Sequence, residues 1–176
     1  MSTAASPLRS DVPRRIVLMG VAGSGKSAVG AALAARLGAA YVDGDDLHPR
    51  QNIEKMSRGE PLTDEDRWPW LALVGRRLAE PDGILIVGCS ALKRRYRDLI
   101  RKEAHAPVTF VHLSGSKELI AARVATRTGH FMPASLLDSQ FAALEPPGDD
   151  EDAITVDIDK PLEHIVEVIV ASLPQN

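Results

Sequence analysis

The sequence has a single cysteine, Cys89, so no intrachain disulfide can form, a composition that suits a reducing compartment. It lacks any apolar run long enough to span a bilayer. Its first 15 residues are rich in Ser, Ala, Pro and Arg and hold no apolar stretch of the secretory kind. The expectation is a cytoplasmic protein with a frayed tail over residues 1–14. An excess of either charge is also missing. A formal net charge of −3 leaves no basic surplus to neutralise a polyphosphate backbone, so nucleic acid is not expected as a partner. No membrane partner is expected either, and neither repeats nor low-complexity tracts interrupt the chain.

What the sequence does have is the balance of one globular domain: 176 residues, 44% hydrophobic and 26% charged, enough for one core. Short apolar runs at 16–19, 40–43, 84–89, 108–113 and 153–157 read as strands. Several are apolar throughout, as in strands buried on both faces. Amphipathic stretches at 27–37, 93–103, 117–127 and 162–173 read as helices between or after them. Strand and helix alternation predicts a doubly wound, mainly parallel five-stranded α/β sheet. Two stretches break the alternation. Residues 44–81 are too long for one crossover and are expected to fold as several helices over the sheet edge. Residues 128–152, with Gly129, Pro133, Pro146, Pro147 and Gly148, are expected to hold a mobile flap. Insertions at the carboxyl ends of strands are where such sheets bind ligands.

The strongest local signal is Gly20-Val21-Ala22-Gly23-Ser24-Gly25-Lys26-Ser27. It matches G-x-x-x-x-G-K-[ST] at every fixed position, after one strand and before a helix. Glycines let backbone N–H groups converge on phosphate oxygens, and the helix N-terminus favours the anion. Gly20, Gly23, Ser24, Gly25, Lys26, Ser27 and Ala28 are therefore expected around the phosphates of ATP. Lys26 would reach the β- and γ-phosphates, and the Ser27 hydroxyl would ligate Mg²⁺. No N-K-x-D motif follows, and the run 84–90 ends in small residues without a carboxylate. Both absences argue against a GTPase switch or a motor. The acids lie instead in Asp43-Gly44-Asp45-Asp46. Carboxylates there can hold Mg²⁺ through water and orient an acceptor hydroxyl, or else form a solvated helix cap.

Further stretches carry a more specific likeness. They are Asp43-Gly44-Asp45-Asp46-Leu47-His48-Pro49, Asn52-Ile53-Glu54-Lys55-Met56, and the run from Gly59-Glu60-Pro61 to Asp66-Arg67-Trp68-Pro69-Trp70. Cys89-Ser90-Ala91-Leu92-Lys93-Arg94, Gly129-His130-Phe131-Met132-Pro133, Ser139-Gln140-Phe141 and Leu144-Glu145-Pro146-Pro147 complete the set. Together they resemble the P-loop gluconokinases, relatives of the shikimate kinases and nucleoside-monophosphate kinases. The likeness runs from about residue 16 to the last helix. It implies transfer of the γ-phosphoryl of ATP to the 6-hydroxyl of D-gluconate, giving 6-phosphogluconate, by a homodimer. It also implies one kinase domain over 15–176, with an acceptor-binding insertion at about 44–81 and a lid at about 127–148.

By the related shikimate kinases, Asp45 orients or deprotonates the acceptor hydroxyl and Asp43 is the outer-shell Mg²⁺ partner, with Asp46 an alternative for either role. The gluconate carboxylate calls for a cationic fork, and Arg67, Arg50 and Lys93 are the alternatives. Arg67 can instead pair with Asp64 or Asp66. His48, Ser90 and His130 are further acceptor contacts. Arg123 and Arg127 share a helix face one turn apart. In related kinases this region supplies lid arginines, which assigns Arg127 to transition-state charge and Arg123 to adenine or phosphate.

Overall fold

The computed structural model describes residues 13–80, 82–126 and 134–173. Five strands run β1 (Arg15–Met19), β2 (Ala40–Asp43), β3 (Leu85–Gly88), β4 (Thr109–Ser114) and β5 (Ala153–Asp157), all parallel, in the order β2-β3-β1-β4-β5. Seven helices lie among the described residues: α1 (Lys26–Leu37), α2 (Arg50–Ser57), α3 (Asp64–Ala79), α4 (Arg94–Ala104), α5 (Lys117–Ala125), α6 (Ala134–Ala143) and α7 (Leu162–Ser172). None of these is long and apolar enough to cross a membrane.

The apolar strands divide their side chains between two faces because successive residues of a strand point to opposite sides. Ile16, Leu18, Ile86, Val111 and Leu113 pack with Val29 and Leu33 of α1, Ile120 and Val124 of α5, and Ile165, Val166 and Ile169 of α7. Val17, Met19, Leu85, Val87 and Phe110 face the other way. They meet Trp70, Leu71, Val74 and Leu78 of α3 and Tyr96 and Ile100 of α4. A strand with both faces covered needs the unbroken apolar run seen in the sequence. The expected architecture holds.

The 44–81 stretch folds into a 3₁₀ turn (Gly44–Leu47), α2 and α3. Thr63 starts α3 with a capping box: its side chain accepts from Asp66 N–H, and the Asp66 carboxylate accepts from Thr63 N–H. Lys55 of α2 donates to that same carboxylate at 2.7 Å, which locks α2 to the start of α3. In the 128–152 stretch, residues 128–133 are outside the described residues, and the remainder contains α6 and a loop.

That loop fastens the turn between β3 and α4. Glu145 N–H donates to Leu92 O at 2.7 Å, and the Glu145 carboxylate accepts from Arg94 N–H at 2.9 Å. Ala91 is a non-glycine residue at φ 43, a conformation that must be held in place. Arg97 holds it by donating to the Ala91 and Leu92 carbonyls. Arg97 is in turn clasped by Glu151 at 2.8 and 3.0 Å, with both side chains at most 1% exposed. Burial pushes the Glu151 carboxyl up. Hydrogen bonds from Arg97, Arg101 and Gly148 N–H outweigh that and hold it at about 2.

Because this pKa is depressed, the pair stabilises the fold fully above the ordinary glutamate value of 4.5 and loses its contribution as pH falls toward about 2. Glu151→Gln leaves a buried guanidinium without its counter-charge, and is expected to cost about 3 kcal/mol or more at neutral pH. Urea denaturation across a pH series checks both points: the variant should also show a shallower slope than wild type between pH 4.5 and 2.

Candidate active site

Register places the chemistry at one edge of the sheet. Leu18 and Asp43 both pair with Gly88, so β1, β2 and β3 end at one level. The loops that leave them carry the phosphate-binding motif, the acid cluster and Ser90. They open on a cavity of about 980 Å³, which α3 and α6 also line.

The loop after β1 is shaped by left-handed glycines. Gly25 at φ 95 caps α1, and Gly23 at φ 85 lies where a Cβ would come within 2.5 Å of Val124. The first intrahelical bond of α1 is Val29 N–H to Gly25 O, so the N–H groups of Lys26, Ser27 and Ala28 have no partner within the helix. These are anion donors by geometry. Lys26 Nζ lies over the loop, donating to the Gly20 and Val21 carbonyls at 2.9 and 3.1 Å. Ala22, Gly23, Gly25, Lys26 and Ser27 line the cavity.

Gly20 and Ser24 are held within the loop. The Gly20 N–H is taken by Ser90 O and the Ser24 N–H by Val21 O, while the Ser24 side chain is buried under the loop. These two residues shape the loop and do not face the cavity. Ala28 is an exposed first-turn residue that offers only its backbone.

Asp43 caps the 3₁₀ turn through Asp45 N–H to its Oδ1 at 2.9 Å, and both acids line the cavity. Asp46 does not. The Asp45 side chain is largely accessible to solvent but sits within a concave, acid-rich corner. Desolvation raises its pKa, Asp43 and Asp46 add to the rise, and Lys26 opposes it. Ser27, Asp43 and Asp45 bring only oxygen donors, the kind that suits Mg²⁺. No cluster of three or more His, Cys, Asp or Glu that could hold a metal occurs among the described residues.

His48 stacks on Trp70, with ring centroids 4.0 Å apart, and Trp70 Nε1 donates to Gly44 O at 2.8 Å. Burial lowers the His48 pKa to about 4, with help from the charge of Arg67, so its ring is neutral at ordinary pH. Asn52 Nδ2 lies 3.3 Å from His48 Nδ1, and the same nitrogen donates to Asp66 O at 2.9 Å. An amide nitrogen only donates, so His48 Nδ1 accepts and Nε2 carries the proton. Nε2 faces Asp45 at 4.0 Å.

The cations gather around one acid. Asp64 accepts from the Tyr96 hydroxyl and from Arg95, with Arg67 at 3.6 Å and Lys93 at 4.0 Å. Tyr96 above all, then Lys93, Arg95 and Arg67, hold its carboxyl below the usual aspartate range. Arg67 Nη1 also donates to Tyr96 Oη at 3.3 Å, and both Arg67 and Lys93 lie over the Tyr96 ring. Arg67 thus makes the pairing with Asp64, while Asp66 goes to Lys55. Three cations share one carboxylate, so Arg67 and Lys93 keep attraction for a further anion. Both line the cavity together with Ser90.

Arg50 lies apart from these residues. Its side chain is 92% exposed, pairs with Glu54 one turn along α2 and does not line the cavity. Arg123 also stays off the cavity; its Nη2 donates to Ile158 O at 2.6 Å, tying α5 to the loop after β5. Arg127 and His130 lie outside the described residues. Reading the sequence did not give Asp64, Trp70, Tyr96 or Gln140 a place in the site. Tyr96 was within reach of such reasoning, since it falls three residues after Lys93 on the same helical face.

A family model described as an AAA domain matches residues 16–147. The thermoresistant gluconokinase of Escherichia coli is 49% identical over 154 residues, covering 85% of this chain and 87% of that protein. A crystal structure of a gluconokinase from Sinorhizobium meliloti superposes with a TM-score of 0.85 at 51% identity, covering 92% of this chain and 91% of that one. A shikimate kinase from Bacteroides thetaiotaomicron, at 17% identity and TM-score 0.65, shares the fold. Identity of this size along nearly the whole of both chains, joined to a phosphate loop, an acid pair and a cationic wall around one cavity, places this chain in the gluconokinase family.

Proposed function

We propose that this chain transfers the γ-phosphoryl group of ATP to the 6-hydroxyl of D-gluconate, giving 6-phospho-D-gluconate and ADP. The observation that carries the reading is one cavity lined both by a phosphate cradle with Asp45 and by the Arg67–Lys93 pair. A polyol with a carboxylate at one end and a primary hydroxyl at the other matches that division of charge. Loop amides and Lys26 hold the phosphates. Asp45 aligns the hydroxyl and takes its proton as the O–P bond forms in line with the departing ADP oxygen. Neutral His48 donates from Nε2 to the acceptor, Ser90 gives it a further polar contact, and Arg67 and Lys93 bind its carboxylate.

Ser27 and, through water, Asp43 would hold Mg²⁺, which when bound neutralises charge on the β- and γ-phosphates. Arg127 at the transferring phosphoryl, Arg123 at the adenine side and His130 at the acceptor rest on the family likeness. So do the division into one kinase domain with insertion 44–81 and lid 127–148, and the homodimer. A cytoplasmic address, without nucleic-acid or membrane partners, is supported by the small net charge and the single cysteine, which is buried.

A coupled assay for gluconate-dependent ADP formation tests the reading; phosphorylation of shikimate in place of gluconate would overturn it. In the same assay Arg67→Ala should raise the KM for gluconate by about 10–100-fold, the scale of losing a charge-assisted contact. The KM for ATP should stay within about threefold, because the contacts of Arg67 are with Asp64 and Tyr96 and not with the phosphate loop. An effect on ATP alone would move Arg67 out of the acceptor pocket.

A further inference from the structure

Helix α6 forms one wall of the cavity through Ser135, Leu136, Ser139, Gln140 and Ala143. One of these residues touches the phosphate loop directly: Gln140 Oε1 accepts from Ala22 N–H at 3.1 Å. A backbone N–H can only donate, so the atom in contact is the carboxamide oxygen and the orientation of the amide is fixed. Its Nε2 group, with two donors, therefore lies on the other arm of the planar carboxamide. No described residue accepts from it. The helix that carries it is anchored, since Leu137 is 5% exposed and packs in the cluster of Ile120 and Val124. Those two side chains are also the ones that a Cβ on Gly23 would strike, so α5, α6 and the phosphate loop meet at one point. A polar side chain held this way at a phosphate-binding loop is arranged before the ligand arrives.

We propose that Gln140 is a catalytic residue of the phosphoryl transfer: held by Ala22 N–H, it donates from Nε2 to an equatorial oxygen of the γ-phosphoryl group during its passage to the acceptor. This rests on the phosphotransferase reading above. Gln140 forms and breaks no covalent bond. Charge in the transition state is spread over the equatorial oxygens, and a donor already fixed there stabilises it without reorganisation. The alternative is that Gln140 merely ties α6 to the loop, and the carboxamide oxygen alone would serve that purpose.

The two readings separate in a pair of variants. Gln140→Ala removes both the oxygen and the donors. Gln140→Glu keeps an oxygen for Ala22 N–H and loses the donors. Four quantities would be measured on the full chain: kcat with gluconate, KM for gluconate, affinity for a non-hydrolysable ATP analogue, and the slow ATP hydrolysis that uses water as acceptor. Melting temperature reports on folding. For Gln140→Ala the expected result is a kcat lower by about 10–100-fold, the scale for one preorganised donor, with analogue affinity and KM within about threefold. Water-dependent hydrolysis should fall in parallel, because the contact is to the phosphoryl group and not to the acceptor. Gln140→Glu should do no better. Recovery of near wild-type kcat in Gln140→Glu, or hydrolysis unaffected in Gln140→Ala, overturns the proposal. Should the wild type fail to phosphorylate gluconate, the acceptor assignment fails while the hydrolysis measurement still reads Gln140.

Discussion

Asp45→Asn is expected to lower kcat by about 10²–10⁴-fold, the range a positioned general base contributes. The asparagine keeps the size of the side chain and an oxygen for the acceptor hydroxyl, but it cannot take the proton. ATP-analogue affinity should change by less than about threefold, since the loop amides and Lys26 do not depend on Asp45. If anything it should improve, because a negative charge near the phosphates is removed. The pH profile gives a second readout. Desolvation and the neighbouring Asp43 and Asp46 raise the Asp45 pKa, and the base must be ionised to act. Activity should therefore fall with decreasing pH through a limb above the ordinary aspartate value of 3.8. That limb should vanish in the variant. An unchanged kcat would remove the assignment and turn attention to Asp43, which lines the same cavity. Asp46 is outside that lining.

Lys26→Ala should lower kcat by about 10³-fold or more, the upper end of what one electrostatic stabiliser contributes. Lys26 Nζ spans the loop from the Gly20 carbonyl to the Val21 carbonyl, so the ammonium is already aimed along the cradle. Its loss removes a full positive charge from the place where the β- and γ-phosphates carry negative charge, and where charge shifts during transfer. Part of the effect should appear as weaker ATP binding, unlike Asp45→Asn. Melting temperature should stay close to wild type because the loop conformation is carried by Gly23 and Gly25 and by Ser24 N–H to Val21 O. Near-normal turnover would refute the phosphate role of Lys26. The contrast between the two variants is the sharper test: one spares the nucleotide, the other does not.

Much of the site was legible because its parts are local in sequence. The phosphate loop is one octapeptide whose glycines and helix start dictate their own geometry. Asp43 and Asp45 stand two residues apart at a strand end, and the parallel register puts that end beside β3 and level with β1. Arg67 and Lys93 were each named as a carboxylate partner, and Asp64 was named only as a competitor for Arg67. It took the packing of α3 on α4 to bring Arg67, Lys93 and Arg95 onto Asp64. The same packing shows that pairing with Asp64 and facing the cavity are not alternatives.

The orientation of several expected residues is set by their surroundings. Arg50 follows His48-Pro49 in sequence, but α2 turns it toward solvent and Glu54. Gly20 and Ser24 belong to the loop motif, yet their N–H groups are used within the protein. Sequence spacing gives the face of a helix and not the direction in which that face looks.

The sequence by itself determined the five-stranded parallel fold, the phosphate loop and the acids that accompany it, because each depends on periodicity or on contiguous residues. Only the tertiary structure decided which cations share Asp64, which nitrogen of His48 carries the proton, and that Gln140 reaches Ala22 across 118 positions of chain. Such contacts are set by how α3, α4 and α6 pack against the sheet edge, and no local pattern encodes the distance between side chains that meet only after the chain has closed.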